Sequence, residues 1–207
     1  MTPAPGQRTW LRPGAGRLIV LSGPSGVGKD TVLRALFELE PSLRYSVSYT
    51  TRPPRPGETD GQSYSFVDEP TFRGMAERKE FLEWAEVHGH LYGTSVAHVQ
   101  RALDRGEDIV LKIDVKGAAY VCRRFEDAIS IFLLPPSEQV LRERLEARQT
   151  EDPQAIARRV ADAVKELAEA PCYQYQVTND SVEDAARRIL DILAASRRRP
   201  LASERRG

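Results

Sequence analysis

The sequence predicts an α/β fold: a parallel sheet covered on both faces by helices, with a small β-rich lobe inserted into it. Three observations carry that expectation. Short apolar runs alternate with segments whose apolar residues recur at helical spacing, the pattern of strands joined by crossover helices. A glycine-rich stretch, "SGPSGVGKDTV" at 22–32, lies between the first such run and the first such helix. One region, 47–107, breaks the alternation and is rich in Thr, Pro, Gly and alternating Tyr/Phe.

Each element follows in turn. "RLIVLS" (17–22) is an apolar run long enough for a buried strand. Val32, Leu33, Leu36 and Phe37 make 29–39 a helix. Pro53, Pro54 and Pro56 forbid a helix early in the inserted region. Helices are expected later in it, near 70–79 and 95–105. "DIVLKID" (108–114) returns to strand, and "KGAAYVCRRF" after it reads as helix. "AISIFLLP" (128–135) is a third strand, closed by Pro135 and Pro136. "SEQVLRERLEARQ" (137–149) is a helix with Ser137 as N-cap. A further helix runs from about 153 to 169, with Pro153 in its first turn. "YQYQVTND" (173–180) is the last strand. "SVEDAARRILDILAAS" (181–196) is an amphipathic helix capped by Ser181, with Glu183 and Asp184 suiting the dipole of its first turn. There is no internal repeat.

Composition limits what such a fold is for. The chain has 207 residues, 30 Lys plus Arg against 30 Asp plus Glu, and a formal net charge of +0. No global field draws it to nucleic acid or membrane, so any anion site is local. Cys122 and Cys172 are far apart and lack C-x-x-C spacing. That argues against a disulfide framework or a zinc site and suits a reducing, cytoplasmic location. No apolar run approaches the ~20 residues of a membrane helix. "MTPAPGQRTWLRPGAG" (1–16) lacks the apolar centre of a signal peptide and reads as a flexible leader. "RRRPLASERRG" (197–207) reads as a solvated basic disordered tail rather than a nucleic-acid arm.

The glycine-rich stretch has a specific chemistry. Gly23, Gly28 and Lys29 fit the phosphate-loop pattern G-x-x-x-x-G-K, and the stretch follows a strand and opens a helix. Glycines let successive N–H groups converge on an anion, and the helix N-terminus adds partial positive charge. Lys29 then reaches the β- and γ-phosphates. The loop departs from the pattern at one place: Asp30 stands where a Ser or Thr is usual, followed by Thr31. Downstream, Arg52 and Arg55 lie three apart on a proline-stiffened segment, and guanidinium forks bind phosphate bidentately.

"LSGPSGVGKDTV", "YSVSYTTRPPRPGETDGQSYSF", "FLEWAEVHGHLYGTS" and "RLEARQTEDPQAIARRV" occur in that order within residues 17–195, and together they resemble the guanylate kinases, P-loop enzymes that phosphorylate GMP at the expense of ATP. The resemblance implies a parallel-sheet P-loop NTPase core, a β-rich GMP-binding lobe and a small helical lid. It divides the domain at 17–196 into a core (17–46, 108–136 and 165–196), a GMP-binding lobe (47–107) and a lid (137–164). It implies ATP binding by Gly23, Pro24, Ser25, Gly26, Val27, Gly28, Lys29, Asp30 and Thr31, with Asn179 near the adenine. Arg52, Arg55, Tyr64 and Tyr92 would hold the GMP phosphate. Glu83 would read the base, because one carboxylate accepts both N1–H and the N2 amino group of guanine, whereas adenine meets it with a lone pair. Ser48 and Thr94 would add hydroxyls there. Two roles stand open for Asp114, at the base edge or toward magnesium. Lys112 occupies a position where many relatives have a second acid, and either neutralises Asp114 or touches a phosphate.

Lys29, Arg52, Arg144, Arg148 and Arg159 are the catalytic candidates. The expected reaction is direct in-line transfer with Mg²⁺ and ATP, on GMP and also dGMP. It needs no general base, since an acceptor phosphate with a second pKa near ~6 is already mostly anionic. Asp30 is the candidate magnesium ligand, directly or through water; the competing outcome is repulsion of the nucleotide phosphates. The alternative reading is a catalytically inactive guanylate-kinase-like module that binds phosphopeptides. Such modules generally have a damaged phosphate loop, which is intact here.

Overall fold

The computed structural model of the chain describes residues 16–87, 89–147 and 153–197. Strand β1 (Leu18–Ser22) is buried at every position. Its alternation feeds two cores: Ile19 and Leu21 join one cluster, Leu18 and Val20 another. A period of two does this to an all-apolar run held between two helical layers. The chain turns through the glycine-rich loop into α1 (Lys29–Leu39), which buries Val32, Leu33 and Leu36, and returns as β2 (Arg44–Tyr45).

The inserted region follows as β3 (Tyr49–Thr50), β4 (Ser65–Phe66), α2 (Glu69–Glu77), β5 (Phe81–Val87), β6 (His90–Ser95) and α3 (Val96–Asp104). The alternation then resumes with β7 (Ile109–Lys112), α4 (Val115–Arg124), β8 (Ile129–Leu134), α5 (Glu138–Glu146) and α6 (Pro153–Leu167). A 3₁₀ turn at Ala170–Cys172 leads to β9 (Tyr175–Thr178) and α7 (Val182–Arg197). Strands β2, β7, β1, β8 and β9 lie side by side in that order, every pairing parallel. The second sheet has the order β4-β3-β6-β5, with only β3–β4 parallel.

Local chemistry sets the boundaries. Ser137 accepts the Val140 N–H at 3.2 Å to cap α5, and Ser181 accepts the Asp184 N–H at 3.3 Å to cap α7. Pro153 opens α6. Phe72 stacks on Phe81 at 4.4 Å between centroids and, with Met75 and Leu91, gives the second sheet a core of its own. Helix α3 sits in the inserted stretch, yet its Val99, Ala102 and Leu103 pack with Leu18, Val20, Ile109 and Leu111 under the central sheet.

Two details differ from expectation. Strand β2 has no counterpart in the sequence reading, because two residues carry no periodic signal. The strand expected over 108–114 stops at Lys112, and Asp114 is instead the N-cap of α4, accepting the Gly117 N–H at 2.7 Å. Lys112 donates to Asp30 and Tyr64 rather than to Asp114. The segments read as leader and tail lie largely outside the described residues. Arg197, placed in the tail by the sequence, is the last residue of α7 and pairs with Asp108 at 2.9 Å.

Candidate active site

A cavity of about 700 Å³ is lined from both sheets. It opens where the loops after β1 and β7 leave the carboxyl ends of parallel strands, the usual place for ligands in such sheets. Gly23, Ser25, Lys29, Arg158, Arg159, Asp162 and Glu166 line one end. Ser48, Arg52, Arg55, Tyr64, Glu83, Tyr92, Lys112 and Asp114 line the rest, beside Ala85, Val87, His90 and Ile113.

The phosphate loop is held from behind. Asn179 donates its amide to the Val27 carbonyl at 2.8 Å, and Arg144 donates to the same oxygen at 3.2 Å. Because a trans peptide is planar, fixing that carbonyl fixes the Gly28 N–H in the opposite direction. Gly28 has a φ of +98°, and a Cβ there would lie 2.6 Å from the Asn179 amide nitrogen, so no other residue fits. Lys29 donates to the carbonyls of Gly23 at 2.6 Å and Pro24 at 3.0 Å. Burial lowers its pKa to about 8, opposed by Glu166 and reinforced by Lys112. A bound phosphate would reverse that shift.

Helix α6 reaches into the same loop. Glu166 accepts the Ser25 N–H at 2.9 Å, and Arg159 donates to the Ser25 hydroxyl at 3.1 Å. The Glu166 carboxylate thus holds one of the donors that a phosphate oxygen would use. No local pattern marks this residue; in the sequence it reads as one more acid on a charged helix.

At the other end, Glu83 on β5 stands opposite Thr94 on β6, across an irregularity in the pairing between Phe81 and Glu83. Glu83 is only 8% exposed, and Thr94 donates its hydroxyl to it at 2.6 Å. Burial pushes the carboxyl up to about 7; the Thr94 hydrogen bond opposes this and Asp114 adds to it. A Cβ on Gly117 would fall 2.7 Å from one Glu83 oxygen, so the start of α4 leaves room for that carboxylate. Ser48, also buried, lines the cavity.

Arg52 forks onto Glu58 through two hydrogen bonds of 2.9 and 2.8 Å, and Glu58 also accepts the Arg55 N–H at 2.7 Å. The Arg52 pKa rises because of its hydrogen bonds to Glu58. Sequence reasoning misses Glu58, which looks like an ordinary loop acid after a turn. The Arg52 guanidinium lies 5.3 Å from the Tyr64 ring centroid, and the Tyr64 and Tyr92 rings meet edge to face at 5.9 Å. Arg52, Tyr64 and Tyr92 therefore form one cluster, with Arg55 on the same cavity wall.

Lys112 stands where the two ends meet. It donates to the Asp30 carboxylate and, at 3.0 Å, to the Tyr64 hydroxyl. Burial would lower its pKa, but the surrounding Tyr45, Tyr64 and Asp30 hold it above the ordinary range.

The structure thus brings Gly23, Ser25, Lys29, Arg159, Ser48, Arg52, Arg55, Tyr64, Glu83, Tyr92 and Asp114 to one cavity. Thr94 supports it from behind Glu83, and Asn179 and Arg144 support it from behind the loop. The Asp30 side chain is 81% exposed at the start of α1. Arg148 lies outside the described residues. Among the described residues no three His, Cys, Asp or Glu side chains gather as a metal site, and no helix is long and apolar enough to cross a membrane.

Known proteins resemble this chain over most of its length. The family pattern described as guanylate kinase matches residues 15–196. A guanylate kinase of Thermus thermophilus is 50% identical over 184 residues, covering 89% of this chain and 83% of the relative. The guanylate kinase of Symbiobacterium thermophilum is 45% identical over 184 residues, covering 89% of this chain and 87% of the relative. The crystal structure of guanylate kinase from Anaplasma phagocytophilum superposes with a TM-score of 0.76 at 33% identity, covering 92% of this chain and 90% of that one.

Proposed function

The chain belongs to the guanylate kinase family and is an ATP-dependent phosphotransferase that converts GMP to GDP; from that premise we propose how its residues divide the work. The observation that carries the assignment of roles is a buried carboxylate, Glu83, in the same cavity as an intact phosphate loop. When ionised, Glu83 accepts the two adjacent donors of guanine, while Ser48 supplies a hydroxyl toward the base. Thr94 holds one carboxylate oxygen in place. Adenine would leave that buried charge unpaired, which is where the discrimination comes from. Asp114 caps α4 beside Glu83, so its charge favours the donor-rich edge of the base.

Arg52, Arg55, Tyr64 and Tyr92 take the GMP phosphate, with Glu58 orienting the Arg52 fork. The loop from Gly23 to Thr31 takes the ATP phosphates, and Lys29 exchanges the two loop carbonyls for phosphate oxygens. Arg144, Arg148 and Arg159 lie in the segment 137–164, which we assign as the lid. On closure they bring positive charge to the migrating group and exclude water. The two anions repel, and most of the catalysis is alignment and charge compensation.

Family members generally use ATP with Mg²⁺. The donor set here suits that ion: one exposed carboxylate, Asp30, stands at the start of α1 beside the phosphate loop, and magnesium takes one or two carboxylates with phosphate oxygens and water. Asp30 is the residue we assign to its shell, directly or through water, and the ion would supply charge neutralisation to the ATP phosphates. ADP release measured with GMP, dGMP, AMP and UMP as acceptors tests the reading. GMP and dGMP are expected to support turnover and the other two not; no ADP release with GMP would overturn it.

A further inference from the structure

Two departures from the usual family pattern, an acid at 30 and a lysine at 112, are 82 residues apart in sequence and touch in the structure. Lys112 is the last residue of β7, and Asp30 is the second residue of α1, directly after the phosphate loop. Lys112 also reaches Tyr64, just before β4 in the second sheet. One ammonium group therefore joins the helix behind the ATP phosphates, the central sheet and the GMP-binding lobe. Its side chain is 9% exposed, while that of Asp30 is 81% exposed.

The hydrogen-bond directions give this chain of contacts a function. An ammonium has only donors, and a phenol has one donor and lone pairs. The Lys112 bond at 3.0 Å is therefore accepted by the Tyr64 oxygen, which leaves the Tyr64 hydrogen to point elsewhere. Accepting from a cation also strengthens a hydroxyl as a donor. Tyr64 meets Tyr92 and the Arg52 guanidinium at the cavity wall, where the GMP phosphate is assigned.

We propose that Lys112 is a positioning residue for the acceptor phosphate: held by Asp30, it fixes Tyr64 as a hydrogen-bond donor to GMP and so links the two nucleotide sites. Asp30 serves the GMP site from the ATP side, whatever it also does for magnesium. The inference rests on the roles assigned above to Tyr64 and the phosphate loop.

The test is the GMP dissociation constant of the full chain, measured by titration calorimetry without ATP or Mg²⁺. Lys112→Met is expected to weaken GMP about tenfold, the scale of a lost hydrogen bond to a charged group. Lys112→Arg should recover part of the loss. In a Tyr64→Phe background, Lys112→Met should add nothing, since it acts through the hydroxyl. Asp30→Asn, altered at an exposed side chain that leaves the fold intact, should weaken GMP about threefold although Asp30 sits at the start of α1, beside the phosphate loop. Unchanged GMP affinity in Asp30→Asn or in folded Lys112→Met, or losses from Tyr64→Phe and Lys112→Met that simply add, would overturn the proposal. Failure of the unaltered chain to bind GMP would instead sink the functional reading beneath it.

Discussion

Burial holds the Glu83 carboxyl near pH 7 rather than at its ordinary 4.5. An acid with a raised folded pKa binds more protons when folded. Its contribution to stability is therefore complete below about 4.5 and is lost as pH rises through about 7. The difference between those two values corresponds to at most ~3 kcal/mol. Glu83→Gln removes the ionisation, so without nucleotide it is expected to be more stable than the parent at pH 8 and indistinguishable from it at pH 4. Urea unfolding at the two pH values checks this; a gain independent of pH would mean that the carboxylate is not the cause. At this scale the motifs around Lys29, Arg52 and Glu83 were legible because local patterns carry them. Glu58 and Glu166 were not, since each matters only through a partner that folding brings to it. Asp30 and Lys112 were both visible as oddities, but with 82 residues between them nothing local joins one to the other, and Lys112 was left open between Asp114 and a phosphate.

Among the elements, α4 and the β5–β6 pair show how backbone placement makes a site. The N-cap Asp114 fixes the first turn of α4, and Gly117 in that turn admits the Glu83 carboxylate. A Gly to Ala change inside a helix ordinarily stabilises it by about 1 kcal/mol. At Gly117 the added methyl would displace Glu83 instead, because that oxygen is the flexible end of a side chain. Gly117→Ala is expected to raise the KM for GMP about tenfold while leaving the KM for ATP and the melting temperature nearly unchanged. Steady-state kinetics with each substrate varied would show it; a parallel rise in both KM values would contradict it. The long elements, α1, α5, α6 and α7 and the buried strands β1, β7 and β8, were readable from apolar period and caps. The short strands β2, β3 and β4 were not, because two residues show no alternation and their pairing depends on distant neighbours.

Across the whole molecule, a polar clamp ties the start of the core to its last helix. Asp108 accepts from the Arg17 backbone and guanidinium at 2.6–3.1 Å and from Arg197 at 2.9 Å, and Arg17 also donates to the Leu193 carbonyl at 2.5 Å. Burial would raise the Asp108 pKa, but the two guanidinium groups hold it below the ordinary range. Asp108→Asn is expected to cost about 2 kcal/mol in urea unfolding at neutral pH, less than a fully buried pair because Arg197 is 63% exposed. Full parental stability in that variant would show the clamp to be idle. The parallel core and the existence of a separate β-rich lobe were legible in the sequence; how they face one cavity was not, since that depends on packing such as α3 against the central sheet. Selection of guanine by Glu83 inside that shared cavity is the proposal on which the other roles turn. The most direct measurement is kcat/KM for GMP and for AMP, in the unaltered chain and in Glu83→Gln. The expected result is a loss of about a hundredfold or more with GMP and a collapse of the GMP-to-AMP preference; a preference that survives the substitution intact would contradict the account.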